Sequence, residues 1–288
     1  VNEARQAFAR VPSDPFATVL LCRAIARQVR DASGQAARYR LAAASATYAQ
    51  GLVFLQMGNR SQARAAFEEA AEDYSSGDVK VFGDLAQLHL ARMAGEDALK
   101  IPETGRRTND IRAAVERLEA LATGVGSQAP PAASLSIIEP MPTPETVAAS
   151  ALLEKGRLLT AAGDIQEALE TLEKLERDYP AQRGACAHAL LAKAEIYKIL
   201  NDNEALTAVY VKALKEYPEQ SSAVDKAANG ILNLHAGDLS EGKGKLEERL
   251  ALLQRVLDND EYRAIPVLNA AVLNRRGDLY YSAGEIQK

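Results

Sequence analysis

Residues 158–180 read LLTAAGDIQEALETLEKLERDYP. Within them Ile165, Ala168, Leu169, Leu172 and Leu175 recur at spacings of three and four, the period of one buried helical stripe. Asp164 stands just before the stripe, where a carboxylate can cap free backbone N–H groups, and Gly163 before it permits a tight reversal. Pro180 closes the stretch, because proline cannot continue a helix. The segment therefore reads as the end of one helix, a turn and a complete second helix. Its turn, AAGD at 161–164, returns as MAGE at 93–96, HAGD at 235–238 and SAGE at 282–285.

A turn that returns implies a repeated unit. Gly58, Gly95, Gly163, Asn201, Gly237 and Gly284 each read as closing a helix that another follows, with gaps of 37, 68, 38, 36 and 47 residues. Three of these gaps match one helix–turn–helix unit. The 68 contains the Pro-rich stretch GVGSQAPPAASLSIIEPMPTPE (124–145), and the 47 contains two longer loops, 237–245 and 258–266. Ala, Leu, Glu, Arg, Lys and Gln dominate the chain and runs of β-branched residues are scarce, which favours helix throughout.

Small and bulky residues recur in step with the turns. One unit has Gly51, Phe54, Gly58, Ala63, Phe67 and Ala70; another has Gly156, Leu159, Gly163, Ala168, Leu172 and Pro180; a third has Ala194, Tyr197, Tyr210, Ala213 and Pro218; Gly277, Tyr280 and Gly284 begin a fourth. A small residue lets two helices approach, and a bulky one fills the space beside it. This pattern resembles the tetratricopeptide repeat family. The chain has no tryptophan, and Leu152 and Leu190 stand where that family's first aromatic would be. Units 81–123 and 223–259 keep a turn glycine but lose most of the aromatics, while EARQAFARVP (3–12) and the last first helix read as partial units. The resemblance implies an all-α fold, a right-handed superhelical solenoid of antiparallel helix pairs. The domain reading is N-terminal repeats over 1–123, a Pro-rich linker or insertion over 124–145 and C-terminal repeats over 146–288. Unit ends in RDYP (177–180) and KEYP (215–218), with EDY at 72–74, are similar to bacterial cell-envelope scaffolds in the style of outer-membrane assembly lipoproteins and Tol–Pal coordinators. That likeness points to a bacterial periplasm or cell envelope ahead of the cytoplasm.

Composition narrows the function classes. The chain is 288 residues long, 47% hydrophobic and 25% charged, so it has the means to bury a core. Its formal net charge of −5 supplies no basic surface for nucleic acid, and no nucleic-acid partner is expected. No apolar run is long enough to cross a membrane, and no leader is visible, although a chain that opens at Val1 is compatible with one removed upstream. Cys22 and Cys186, 164 residues apart, read as buried small hydrophobes rather than a disulfide.

No catalytic constellation is present. G-x-S-x-G, H-E-x-x-H, a phosphate-binding G-x-x-x-x-G-K-[ST] and G-x-G-x-x-G are all missing, so the chain reads as non-catalytic with no cofactor and no metal. EGKGK (241–245) lacks the preceding strand and reads as a solvated loop. ETGRRTND (103–110) reads as a loop leading to a helix that starts at Thr108 or Asn109. His89, His188 and His235 each fall on a first helix, on the side expected to line the inner curve, and in different units.

In such an array first helices line a concave groove. Register places Ser45, Tyr48, Leu52, Leu55 and Gln56 there in one unit; Ser150, Leu153, Arg157, Thr160 and Ala161 in the next; and His188, Leu191, Glu195, Lys198 and Ile199 in the third. Tyr48, Leu52, Gln56, Leu153, Arg157, Thr160, His188, Leu191, Glu195 and Lys198 are the expected partner contacts. Mixed apolar and polar side chains suit an extended peptide or a helix laid into the groove. The expected function is a protein-interaction scaffold. The alternatives are a self-assembling array whose groove takes another copy, a homo-oligomer, and the repeat region of a larger protein with a separate activity.

Overall fold

The computed structural model describes residues 15–31, 36–102, 104–124, 141–236 and 246–283. Every regular element among them is helical: α1 (Pro15–Asp31), α2 (Ala36–Gln56), α3 (Arg60–Asp73), α4 (Lys80–Leu99), α5 (Thr104–Thr123), α6 (Pro144–Ala162), α7 (Ile165–Asp178), α8 (Arg183–Leu200), α9 (Asn203–Glu216), α10 (Ser221–Ala236), α11 (Leu246–Asp258), the short α12 (Asp260–Arg263) and α13 (Pro266–Ser282), with a 3-10 turn at Gly77–Val79. The fold is the expected all-α helical repeat. The chain divides into two compact units, Val1–Asp164 and Ile165–Lys288. The loop 237–245, the opening EARQAFARVP and Gly284 lie outside the described residues, as does most of the Pro-rich stretch 124–145.

Within the first unit each helix packs on its successor from α1 to α6, and α2 also meets α4 while α4 meets α6. Within the second unit α7 to α11 pack successively, and α8 also meets α10 while α10 meets α13. Alternate helices therefore lie side by side, as they do when helix pairs stack. Burial follows from this. The first helices α4, α6 and α8 bury ten, nine and eight residues. The second helices α3, α5, α7 and α9 bury four or five. In α7 these are Ala168, Thr171, Leu172 and Leu175, a single stripe.

The recurring turn has one backbone form. Gly58, Gly163 and Asn201 have φ of 72°, 96° and 54°. After each, the next N–H reaches back five residues: Asn59 to Phe54 O at 2.8 Å, Asp164 to Leu159 O at 2.9 Å and Asp202 to Tyr197 O at 3.0 Å. This left-handed end satisfies carbonyls that a helix terminus would otherwise leave free. The side chains of Asn59 and Asp202 then accept hydrogen bonds from the Gln62 and Ala205 N–H groups and start the second helix.

Two expectations are corrected. MAGE is not a turn: α4 runs through it to Leu99, and Gly95 is buried in the helix. A Cβ there would lie 2.8 Å from Leu158 Cδ2, so this glycine admits a side chain of α6 rather than a reversal. The fifth helix starts at Thr104, not at Thr108 or Asn109, and the Thr108 hydroxyl donates to Thr104 O at 2.9 Å inside it. The small-to-bulky pairing does hold in the helix crossings. A Cβ at Gly51 would collide with the Phe67 ring, and one at Gly230 with the Tyr210 ring. Leu152 and Leu190 are buried, as are Gly156, Ala194 and Leu206.

Candidate partner-binding face

In the first unit the expected groove residues separate into two sets. Ser45 and Tyr48 are core residues, and Tyr48 is only 6% exposed. The whole of 41–50 is buried because α1, α3 and α4 all pack on α2. The Tyr48 hydroxyl lies 3.0 Å from His89 Nε2, and its ring meets Phe67 and Phe82 with centroids 5.8 and 6.0 Å away. Tyr48 is therefore withdrawn from any partner, which corrects its assignment to the groove. Leu52 is half-buried and Gln56 exposed at the end of the same helix. On α6, Leu153 is buried, Thr160 is half-buried with its hydroxyl donating to Gly156 O at 2.8 Å, and Arg157 is exposed, donating to Glu154 Oε1 at 2.9 Å.

In the second unit α8 carries the more open set. His188 and Leu191 are half-buried, whereas Glu195 and Lys198 are exposed and joined by a 2.8 Å ion pair. Ile199 and Leu200 beside them are 59% and 51% exposed. Lys198 Nζ also lies 6.0 Å from the centre of the Tyr210 ring.

His89 is a core residue, which corrects its assignment to the inner face. His89 stacks on Phe67 with ring centroids 4.7 Å apart and planes 5° from parallel, inside the first unit. Burial, with the neighbouring Arg92 adding to it, holds its imidazole down to about 4. The side chain of His235 lies outside the described residues. Among the described residues no group of three or more His, Cys, Asp or Glu is placed to hold a metal ion, and no helix is long and apolar enough to cross a membrane. Cys22 and Cys186 are buried free thiols, both pushed upward in pKa by burial.

Two segments, 45–76 and 150–181, match the tetratricopeptide repeat model. Both segments are similar to tetratricopeptide repeats. No curated protein matches the chain.

Around these helices the structure assembles charged networks that the helical register did not reveal. In the first unit Asp97 binds Arg64 at 2.7 Å and Arg60 at 3.0 Å, and Arg60 binds Glu96 at 2.7 Å. Arg92 then joins Glu96 at 2.9 Å and Glu154 at 3.8 Å, and Glu154 holds Arg157. Burial alone would raise the Glu96 carboxyl, but hydrogen bonds from Arg60 and Arg92 outweigh it and hold the group below its ordinary value. Exposed pairs of this kind contribute roughly 0–1 kcal/mol each, so their main effect is to fix where the Arg92 and Arg157 heads lie. In the second unit Glu176 sits between Lys193 at 2.6 Å and Lys212 at 2.5 Å, with Lys193 only 8% exposed. Two contacts of the second unit have a signal in the sequence. Glu176 and Lys212 are 36 residues apart on second helices, and Arg183 and Glu219 are 36 apart at the starts of consecutive first helices. Opposite charges one repeat apart at matching positions become neighbours when units stack. Arg183 adds a cation–π contact, lying 5.0 Å from the centre of the Tyr217 ring.

Proposed function

We propose that the chain is a non-catalytic scaffold that holds a protein or peptide partner against its first helices. Tetratricopeptide repeats generally mediate protein–protein interaction, which supports the class of partner. The observation that carries the reading is the surface of α8. Ile199 and Leu200 stand more than half exposed beside the Glu195–Lys198 pair. Apolar anchors with a charged rim are the arrangement that partner surfaces use. Leu52, Gln56, Arg157 and Thr160 supply a corresponding mixed surface in the first unit, while Tyr48 and Leu153 support it from beneath. A bacterial cell-envelope setting is part of the proposal and rests on the Tyr-Pro unit ends alone.

The test reverses charge on one layer at a time. Lys198→Glu combined with Ile199→Asp should weaken the native partner at least about tenfold, or about 1.4 kcal/mol, in a calorimetric titration at moderate salt. Helical content should not change, because both positions are exposed. Glu173→Lys, on the second helix α7, should leave affinity within about twofold of the parent. Equal losses from both variants would point to general electrostatics and sink the proposal.

A further inference from the structure

The 47-residue gap between the last two turn glycines contains an insertion, and part of that insertion is α12 (Asp260–Arg263). Asn259 caps this short helix by accepting from the Glu261 and Tyr262 N–H groups, and Ile265 N–H closes it onto Tyr262 O at 2.9 Å. The result is a wall standing beside the second helix α9. Between them lies an open groove of 560 Å³ lined by Thr207, Ala208, Val211 and Tyr262, with charged residues along its edges.

The groove-facing residues of α9 are Glu204, Thr207, Ala208, Val211, Lys212, Lys215 and Glu216. Their spacing of three, one, three, one, three and one is a complete helical stripe. It shares Val211 with the stripe that α9 buries in its own unit, Leu206, Tyr210, Val211, Ala213 and Leu214, and otherwise lies beside it. The second helices α3 and α7 each bury one stripe of four residues. Here a second stripe faces a built wall.

Its charges are unequal. Lys215 is engaged by Glu261 at 2.9 Å and Lys212 by Glu176 at 2.5 Å. Glu204 and Glu216, at the two ends of α9, line the groove and form no ion pair among the described residues. Twelve residues of helix separate them by about 18 Å.

We propose that this groove is a second docking surface, on the second-helix layer, for a protein segment with two cationic side chains flanking apolar ones. The cations meet Glu204 and Glu216, and an apolar side chain between them rests on Ala208, Val211 and Tyr262. An extended segment spans the distance in five to six residues at about 3.3 Å each. The surface is separate from the first-helix face proposed above, and its occupant is selected by charge of the opposite sign.

The probe is the capped peptide acetyl-Lys-Ala-Leu-Leu-Ala-Lys-amide, titrated into the whole chain at low salt and followed by NMR shifts. Saturable binding with a Kd of about 1 mM or tighter is expected. The analogue with glutamates for lysines, and the one with glycines for leucines, should each bind at least tenfold more weakly. Glu204→Lys with Glu216→Lys should abolish binding of the lysine peptide. Glu204→Gln with Glu216→Gln should weaken it and carries the test if the reversed pair loses helicity. Lys198→Glu with Ile199→Asp should leave peptide binding intact, so failure of the first-helix reading and failure of this one give different results. No saturation, equal binding of the acidic peptide, or unchanged binding to the Gln variant would overturn the proposal.

Discussion

At Gly51 the missing Cβ is what seats Phe67, whose ring occupies the space a side chain would need. Phe67 is itself fully buried between Tyr48 and His89, so it cannot swing away. Gly51→Leu should therefore cost roughly 1–3 kcal/mol or more through overpacking, read as a lower urea midpoint. An unchanged midpoint would show that this crossing is loose. His89 makes a second prediction at the same scale. The folded chain holds its imidazole neutral down to about 4, whereas a free histidine titrates near 6.5. Between those values the unfolded chain binds the proton and the folded chain does not. The His89 contribution is thus complete above about pH 6.5 and is lost as pH falls toward 4, by on the order of 3 kcal/mol. His89→Gln removes this slope. Denaturation at pH 7 and pH 4.5 should show a smaller acid loss in the variant than in the parent, and equal losses would count against a buried neutral imidazole.

At the scale of the element, the turn explains both where the sequence reads correctly and where it misleads. Gly58, Gly163 and Asn201 are followed by Asn59, Asp164 and Asp202, whose short polar side chains suit the start of a helix. Gly95 is followed by Glu96, a good helix former and a poor cap, and the helix continues. The residue after the glycine, not the glycine, separates a turn from a close approach. Asp202→Ala should accordingly destabilise by about 1 kcal/mol, measured by thermal or urea unfolding, through loss of its hydrogen bond from the Ala205 N–H. Glu176 holds two lysines, one of them buried at 8% exposure. With Glu176→Ala, Lys193 keeps only Glu173, 3.9 Å away, and the change should cost roughly 1–3 kcal/mol, more than removing any exposed pair. A loss below about 1 kcal/mol would mean that Lys193 finds water or another carboxylate.

At the scale of the whole molecule, stacked helix pairs make stability a sum of local terms. Gly51 lies in one compact unit and Asp202 in the other. The double variant Gly51→Leu, Asp202→Ala should therefore lose the sum of the single losses to within about 0.5 kcal/mol, and a larger departure would reveal coupling between the units. The sequence by itself determined the helices, the left-handed ends at Gly58, Gly163 and Asn201, and the pairing of small with bulky residues. Those features depend on side chains a few residues apart and on one period of 3.6. It placed Tyr48 on an open face and Gly95 in a turn, and the tertiary structure moved both into the interior. A first helix is touched by its partner and by first helices on either side, so its apolar period does not say which face stays free. Only packing decided that Tyr48 joins His89 and Phe67, that Leu158 fills the space beside Gly95, and that Ile199 and Leu200 remain uncovered. The physical reason is range: a turn is set by neighbours along the chain, whereas exposure is set by neighbours a repeat or more away.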